Sequence, residues 1–250
     1  LFAATAILLS SNALGSEQVV SKNKLCPDNS CEKQIKRLKR HGALYKEPGA
    51  LILLATAYLT GEGVEKDPER AYKLIKRASS SGSPKAHFML AAMLRDGVGT
   101  EVNRKRSQMY LDKAAKYGYA PAMFQKSLES LNFSSEDNTL AINWLEKAVD
   151  GRNRDAIYLM AQLKETGTVL KKDIIGAAKL YKQIAFWQYK DSNQRLQSIF
   201  DQMPKEHNDY HTVAKLLEEV ETITVQGNKL NFPIALDMKI DAIVENSHFD

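Results

Sequence analysis

The chain has 250 residues, of which 44% are hydrophobic and 26% charged. That is an ordinary globular balance, and it excludes wholesale disorder, a collagen-like chain and a polytopic membrane protein. Two cysteines cannot make a disulfide-dense mini-scaffold. The formal net charge is +5, and its distribution is uneven. Between Lys22 and Lys46 eight Lys/Arg face only Asp28 and Glu32, whereas residues 47–250 carry 27 of each sign. A chain-long nucleic-acid groove needs a basic face running along the fold, so no nucleic-acid partner is expected.

The chain opens on an apolar run, Leu1 to Leu9. As a helix it would rise about 14 Å, under half of a hydrocarbon core of roughly 30 Å, so it is no transmembrane span. Small residues follow at Ala13 and Gly15, and the pattern fits a secretory signal peptide over 1–15, cleaved before Ser16. With no initiating Met and no basic stretch ahead of the run, the first few residues of that peptide are expected to be missing. The alternative is an N-terminal strand or helix of the fold. Residues 16–47 form a basic segment. In it Cys26-Pro-Asp-Asn-Ser-Cys31 places four turn formers between two cysteines, a spacing that permits a disulfide. A zinc pair is the other reading, but it lacks a second cysteine pair. A disulfide fits an exported protein, with the periplasm as the expected compartment and secretion as the alternative. The run Lys33-Gln-Ile-Lys-Arg-Leu-Lys-Arg-His41 puts Ile35 and Leu38 on one side of a helix. It reads as a capping helix with a solvated basic face, or as a weak contact for acidic surfaces through Lys33 to Arg40.

From Pro48 the sequence repeats itself. Gly61 and Gly63 recur 36 residues on as Gly97 and Gly99; Ala50, Ala78 and Gly82 recur as Ala86, Ala114 and Gly118. The step then shortens to 34, carrying Ala114 to Ala148 and Ala122 to Ala156, and Gly167, Asp173 and Ala177 complete a fourth unit. Each unit reads as two helices. The first, Ala50 to Leu59 in the first unit, is apolar at helical spacing and closes at Gly61. The second starts at Asp67-Pro68-Glu69, a capping oxygen followed by Pro at the first helical position, and stops at Gly82. One such pair cannot bury its apolar side alone, so the units must stack into a curved all-α solenoid.

The pattern Ala-x-Ile/Phe-x-Leu-Ala-x-x-Tyr/Leu-x-x-Gly-x-Gly-Val-x-x-Asp, followed by Ala-x6-Ala-x3-Gly, resembles the Sel1-like repeat, a relative of the tetratricopeptide repeat. The resemblance covers 48–187. It implies a right-handed α-solenoid with capping helices and a non-enzymatic scaffold for protein partners. In the third unit Leu131-Asn132-Phe133-Ser134-Ser135 replaces the glycine loop, and Lys126 stands where Leu54 and Leu90 do. In the fourth, Val169 replaces the second glycine and Gln188 the closing one. Some periplasmic relatives are parts of flagellar motors, so a structural role in an envelope machine is the alternative within this class.

Two positions of each first helix are candidate partner contacts. One holds Leu51, His87, Met123 and Ile157, the other Leu53, Met89, Gln125 and Leu159. Family members often carry polar residues there, on or near the concave face, and six of these eight are apolar. Exposed, they would make a hydrophobic groove; otherwise the chain's own N-terminal helix or C-terminal tail covers them.

Residues 188–250 form the C-terminal cap and tail. Helices are expected over Asn193 to Met203 and Tyr210 to Val220, and a short hairpin around Gly227-Asn228. Residues 234–244 alternate apolar and polar at first and then turn helix-like. His207-x-x-x-His211 is the one metal-like spacing, but it lacks a glutamate after the first histidine, and Asn208-Asp209 would start a helix beyond His207. No nucleophile motif or phosphate loop is present. No catalytic residue, metal or cofactor is expected; a hydrolase with its site after residue 189 is the minor alternative.

Overall fold

The computed structural model describes residues 31–44, 47–135 and 137–227. The signal peptide, the Cys26–Cys31 pairing and residues 228–250 lie outside the described residues. Eleven helices and no strands occur among them: α1 Cys31–Leu44, α2 Pro48–Thr60, α3 Pro68–Ser80, α4 Pro84–Asp96, α5 Arg104–Lys116, α6 Ala120–Ser130, α7 Thr139–Asp150, α8 Arg154–Thr166, α9 Ile174–Ala185, α10 Ser192–Asp201 and α11 Tyr210–Gly227.

The repeat unit is two helices, and local chemistry explains its borders. In the first repeat Glu47 caps α2 by accepting from the amides of Gly49 and Ala50. The helix ends at Gly61, whose φ of 84° is left-handed. The Asp67 carboxylate accepts from the Arg70 amide at 2.8 Å and so starts α3 ahead of Pro68. The loop between them is closed by the Asp67 amide donating to the Tyr58 carbonyl at 2.9 Å. The same bond recurs from Asn103 to Leu94 at 2.7 Å and from Asp173 to Lys164 at 2.8 Å. Three of the four repeats therefore share one loop.

The third repeat keeps the helices and rebuilds the loop. Buried Asn138 receives a bond from the Asn132 amide at 2.8 Å, and its own amide group donates to the carbonyls of Asn132 and Ser135, each at 2.9 Å. One side chain thus supplies the backbone partners that the glycine loop supplies elsewhere.

Consecutive helices pack against each other from α1 to α9, and α10 and α11 close the stack against α9. The core is correspondingly a chain of clusters. Leu54, Ile75, Leu90 and Leu94 fill the first two repeats; Leu111 and Ala114 continue into the third; Leu145, Met160 and Leu163 lie between the third and fourth; Tyr181, Ile184, Leu196 and Val213 join the fourth to its cap. Fully buried alanines at 71, 78, 86, 114, 122, 148, 156 and 177 let helix axes approach closely. Helix α1 occupies the slot that a preceding repeat's second helix would take: Ile35 and Leu38 are buried in the first cluster. A Cβ on Gly42 would sit 2.9 Å from Leu51 Cδ2, so glycine is what lets α1 seat on α2.

The hairpin expected at Gly227-Asn228 is corrected: residues 222–227 continue α11. Val213, Leu216, Leu217 and Val220 dock this helix on the cap. Extending a docked helix costs less than nucleating a new element, which overrides the β-branched run Thr222-Ile-Thr-Val.

Candidate functional site

The two candidate positions on the first helices behave differently. Leu51, His87 and Ile157 are buried and Met123 is half-buried. They face the helix that precedes: Leu51 lies under α1, and His87 bonds to Ser79 of α3. This position joins repeats, and only Met123 keeps part of its surface open. Leu53, Met89, Gln125 and Leu159 are half-buried instead, with Leu53 and Met89 resting on the first cluster and Leu159 on the third-to-fourth junction. One turn further along the same helices stand Thr56, Ala92, Leu128 and Gln162, three half-buried and Leu128 48% exposed. The two positions together form the outward row of the first helices, apolar at five of eight places. No single residue of the row is unusual; only the register of the repeats brings it together.

His87 is a buried joint between the first two repeats. Its Nδ1 lies 2.7 Å from Ser79 Oγ, and its ring stacks with Tyr110 and Tyr117 at centroid distances of 5.9 and 5.8 Å. Burial, and then the nearby Lys113 ammonium, hold its pKa below the ordinary histidine range. Ser79 can donate to the neutral ring or accept from the charged one, so the cost of protonation comes from desolvation and charge rather than from a lost bond.

A polar network locks the cap to the fourth repeat. The Tyr158 hydroxyl donates to Asp191. The Tyr181 hydroxyl donates to Glu165 at 2.6 Å. Arg195 of α10 donates to both acids, to Glu165 and Asp191 at 3.1 Å each. Burial, and then the bond to Glu165, push the Tyr181 phenol well above its usual range. Burial works against the Arg195 charge, but the bond to Asp191 and the fields of Tyr181, Glu165 and Asp191 prevail and raise its pKa. The bond from Tyr158 and the Arg195 guanidinium hold Asp191 below the usual carboxylate range. Beside the network Tyr189 donates to Asp155, and burial followed by that bond push its pKa up to about 12. Lys190 lies over the rings of Tyr158 and Tyr189, 4.5 and 5.2 Å from their centroids. Each tyrosine hydroxyl and each carboxylate here has a partner, and the arrangement ties α8, α9 and α10 together. Sequence reading passed over it because its members are spread from Asp155 to Arg195 over three helices and a loop.

His207 stands before α11, which begins at Tyr210, so His207 and His211 share no helix face. Among the described residues no three His, Cys, Asp or Glu side chains come together as a metal site. No helix among them is long and apolar enough to cross a membrane.

Stacked helix pairs with capping helices at both ends define an α-solenoid. The Sel1 repeat family matches at residues 48–83, 84–119, 120–153 and 154–185, more than half of the chain, and the protein belongs to that family. Its structure is similar to a Sel1 repeat protein from Oxalobacter formigenes, with a TM-score of 0.59 and 26% identity, over 67% of this chain and 49% of that one. It is also similar to a protective antigen of uropathogenic Escherichia coli displaying an SLR fold, with a TM-score of 0.56 and 17% identity, over 87% and 49%. Among curated proteins it is similar to chitin synthase regulatory factor 3 of Schizosaccharomyces pombe, 24% identical over 163 residues, which is 62% of this chain and 18% of that protein. The chain thus spans about half of the two similar structures and under a fifth of the fungal regulator. Sel1 repeats are typically non-catalytic and fit a scaffold for protein interaction.

Proposed function

We propose that this protein is an interaction scaffold of the cell envelope that binds a protein partner along the outward row of its first helices. The observation that carries the reading is the row itself: Leu53, Met89 and Leu159 keep apolar surface open at equivalent steps of the stack, and in the third repeat Leu128, one turn further along, does so. Binding to a surface already ordered avoids most of the entropy cost of ordering it at contact, and methionine adapts to partner shape. Family members carry these positions on or near the concave side, where the row would cradle a partner helix or extended segment.

Replacing Leu53, Met89 and Leu159 together by Ser tests the assignment. The variant is expected to keep its helical circular dichroism and to lose its crosslinked partner in cells. Ala92→Arg, which adds bulk on the row without removing core packing, is expected to do the same. Partner retention by both folded variants would refute the row as the binding surface.

Envelope location rests on the apolar run of Leu1 to Leu9, the small residues behind it and the Cys26–Cys31 spacing. A fusion after residue 20 to an enzyme active only outside the cytoplasm is expected to be active. Mass measured before and after reduction and alkylation is expected to show the two cysteines bonded. A silent fusion would move the scaffold to another compartment without touching the binding row.

A further inference from the structure

The balance of charge over residues 47–250 hides an asymmetry between repeats. The first two repeats carry 12 Lys/Arg against 7 Asp/Glu, and the last two 9 against 8. The excess is concentrated on α5, where Arg104, Lys105 and Arg106 occupy the first turn and Lys113 and Lys116 the last. Cations at a helix N-terminus oppose the macrodipole, so the first-turn trio is an electrostatic cost to the fold. Arg104, Lys105, Arg106 and Lys116 have no acidic partner among the described residues. The acid on this face, Asp112, is taken by Lys126 at 2.8 Å, and Lys113 rests on the Tyr110 ring at 5.4 Å.

Lys105, Arg106, Lys113 and Lys116 surround a shallow depression of about 660 Å³ that also contains Gln108, Met109 and the paired Asp112, with Met109 42% exposed. The equivalent places on α7 hold Thr139 for Lys105, Asn143 for Met109 and Asp150 for Lys116. The depression at α9 is also lined by lysines, but Asp150, Asp173 and Glu146 share it, and Lys164 pairs with Asp173 at 2.7 Å. Of these three second helices, α5 alone sets unpaired positive charge around an apolar floor among the described residues.

We propose that the outer face of α5 is a second docking surface, for an acidic segment of a partner protein, with carboxylates meeting Lys105, Arg106 and Lys116 and an apolar side chain seated on Met109. A lipid surface is the less suitable occupant. A bilayer is flat and would bridge the depression, and the apolar side of α5 is already used in the core, so the helix has nothing to insert. The inference takes only the partner class from the scaffold reading, and it concerns a different face.

The test uses the full chain and a fluorescein-labelled peptide of about twelve residues, glutamates with two leucines, followed by anisotropy. Wild type is expected to bind, and binding is expected to weaken as salt rises from about 50 to about 200 mM. The triple variant Lys105→Gln, Arg106→Gln, Lys116→Gln, exposed enough to leave the helix intact, is expected to bind about tenfold more weakly or worse. A matched triple at α9, Lys171→Gln, Lys172→Gln, Lys179→Gln, is expected to bind as wild type does. Serine at Leu53, Met89 and Leu159 is expected to leave peptide binding unchanged, so failure of the first-helix row and failure of the α5 face are separate results. The proposal is overturned if wild type does not bind, if the α5 triple binds equally, or if the serine variant loses the peptide. It is also overturned if phosphatidylglycerol vesicles, and not the peptide, are what the α5 triple ceases to hold.

Discussion

The first two repeats and the last two reach one backbone by different chemistry. The turn that ends each second helix needs a left-handed residue. In the first two repeats glycine supplies it, at Gly82 and Gly118, with φ of 82° and 81°. In the third and fourth the same place holds Arg152 and Gln188, at 55° and 49°, and Lys190 follows at 52°. A side chain in that region costs about 1–2 kcal/mol, and the surroundings must hold it there. Lys190 is held by Asp155 and two tyrosine rings. Charges differ in the same way. Lys164–Asp173, Lys182–Glu219, Lys190–Asp155 and the two Arg195 pairs bind the fourth repeat and its cap, while α5 leaves its cations without acids. The repeat fold prescribes turn geometry and buried alanines. How a turn is held, and whether surface charge is paired, it leaves to each unit.

The largest effect is expected where repeats touch through glycine. A Cβ on Gly99 would lie 2.0 Å from the carbonyl oxygen of Pro68, and the backbone there is left-handed at 66°. Gly99→Ala is expected to cost about 2–5 kcal/mol in urea denaturation, combining conformational strain with overpacking. A loss below about 1 kcal/mol would show that the second-repeat loop does not rest on α3. Val169 at the same place in the fourth repeat lies among Leu145, Met160 and Leu163, so Val169→Gly is expected to destabilise, the reverse of what a glycine requirement would give.

Next comes Arg195→Ala, which leaves Glu165 and Asp191 with only their tyrosine donors. A loss of about 1–3 kcal/mol is expected, seen as detachment of α10 and α11 ahead of the repeats in hydrogen exchange. Uniform exchange along the chain would contradict a network that pins the cap.

Smaller effects of opposite sign separate the two kinds of turn. Nothing lies within 4 Å of a Cβ added at Gly118, so Gly118→Ala measures backbone conformation alone and is expected to cost about 1 kcal/mol. Arg152→Gly is expected to be neutral or to stabilise by a few tenths, about 0.5 kcal/mol at most. Equal losses at both sites would mean that Arg152 makes contacts outweighing its strain.

The smallest effect is a pH dependence. His87 has a folded pKa below its unfolded value near 6.5. The stability from its neutral, buried form is complete above that unfolded value and is lost as pH falls through the lower folded one. Thermal midpoints are expected to drop as pH falls below about 6.5, and His87→Gln is expected to flatten that drop. An unchanged profile in the variant would assign the acid sensitivity to other groups.

Much of the fold was legible because alanine and glycine recur in register. Ala50, Ala86, Ala122 and Ala156 marked the buried stripe, Gly61 the end of a helix, and Asp67-Pro68 the start of the next. The Asn138 loop was not legible, since it depends on one side chain reaching two carbonyls several residues back. Of the candidate contact positions, spacing alone could not tell that Leu51 and His87 turn toward the preceding helix while Leu53 and Met89 turn outward; that division depends on where α1 and α3 pack. The α5 cations were in plain view, but a net charge summed over 47–250 erased them.

Photo-crosslinking in intact cells, with the reactive residue placed in turn at Leu53, Met89, Leu128 and Leu159 and at Asn143 and Gln183 on the second helices, addresses the binding row most directly. One common protein adduct is expected from the four first-helix sites and none from the two others. Adducts from Asn143 and Gln183, with silence along the row, would contradict it.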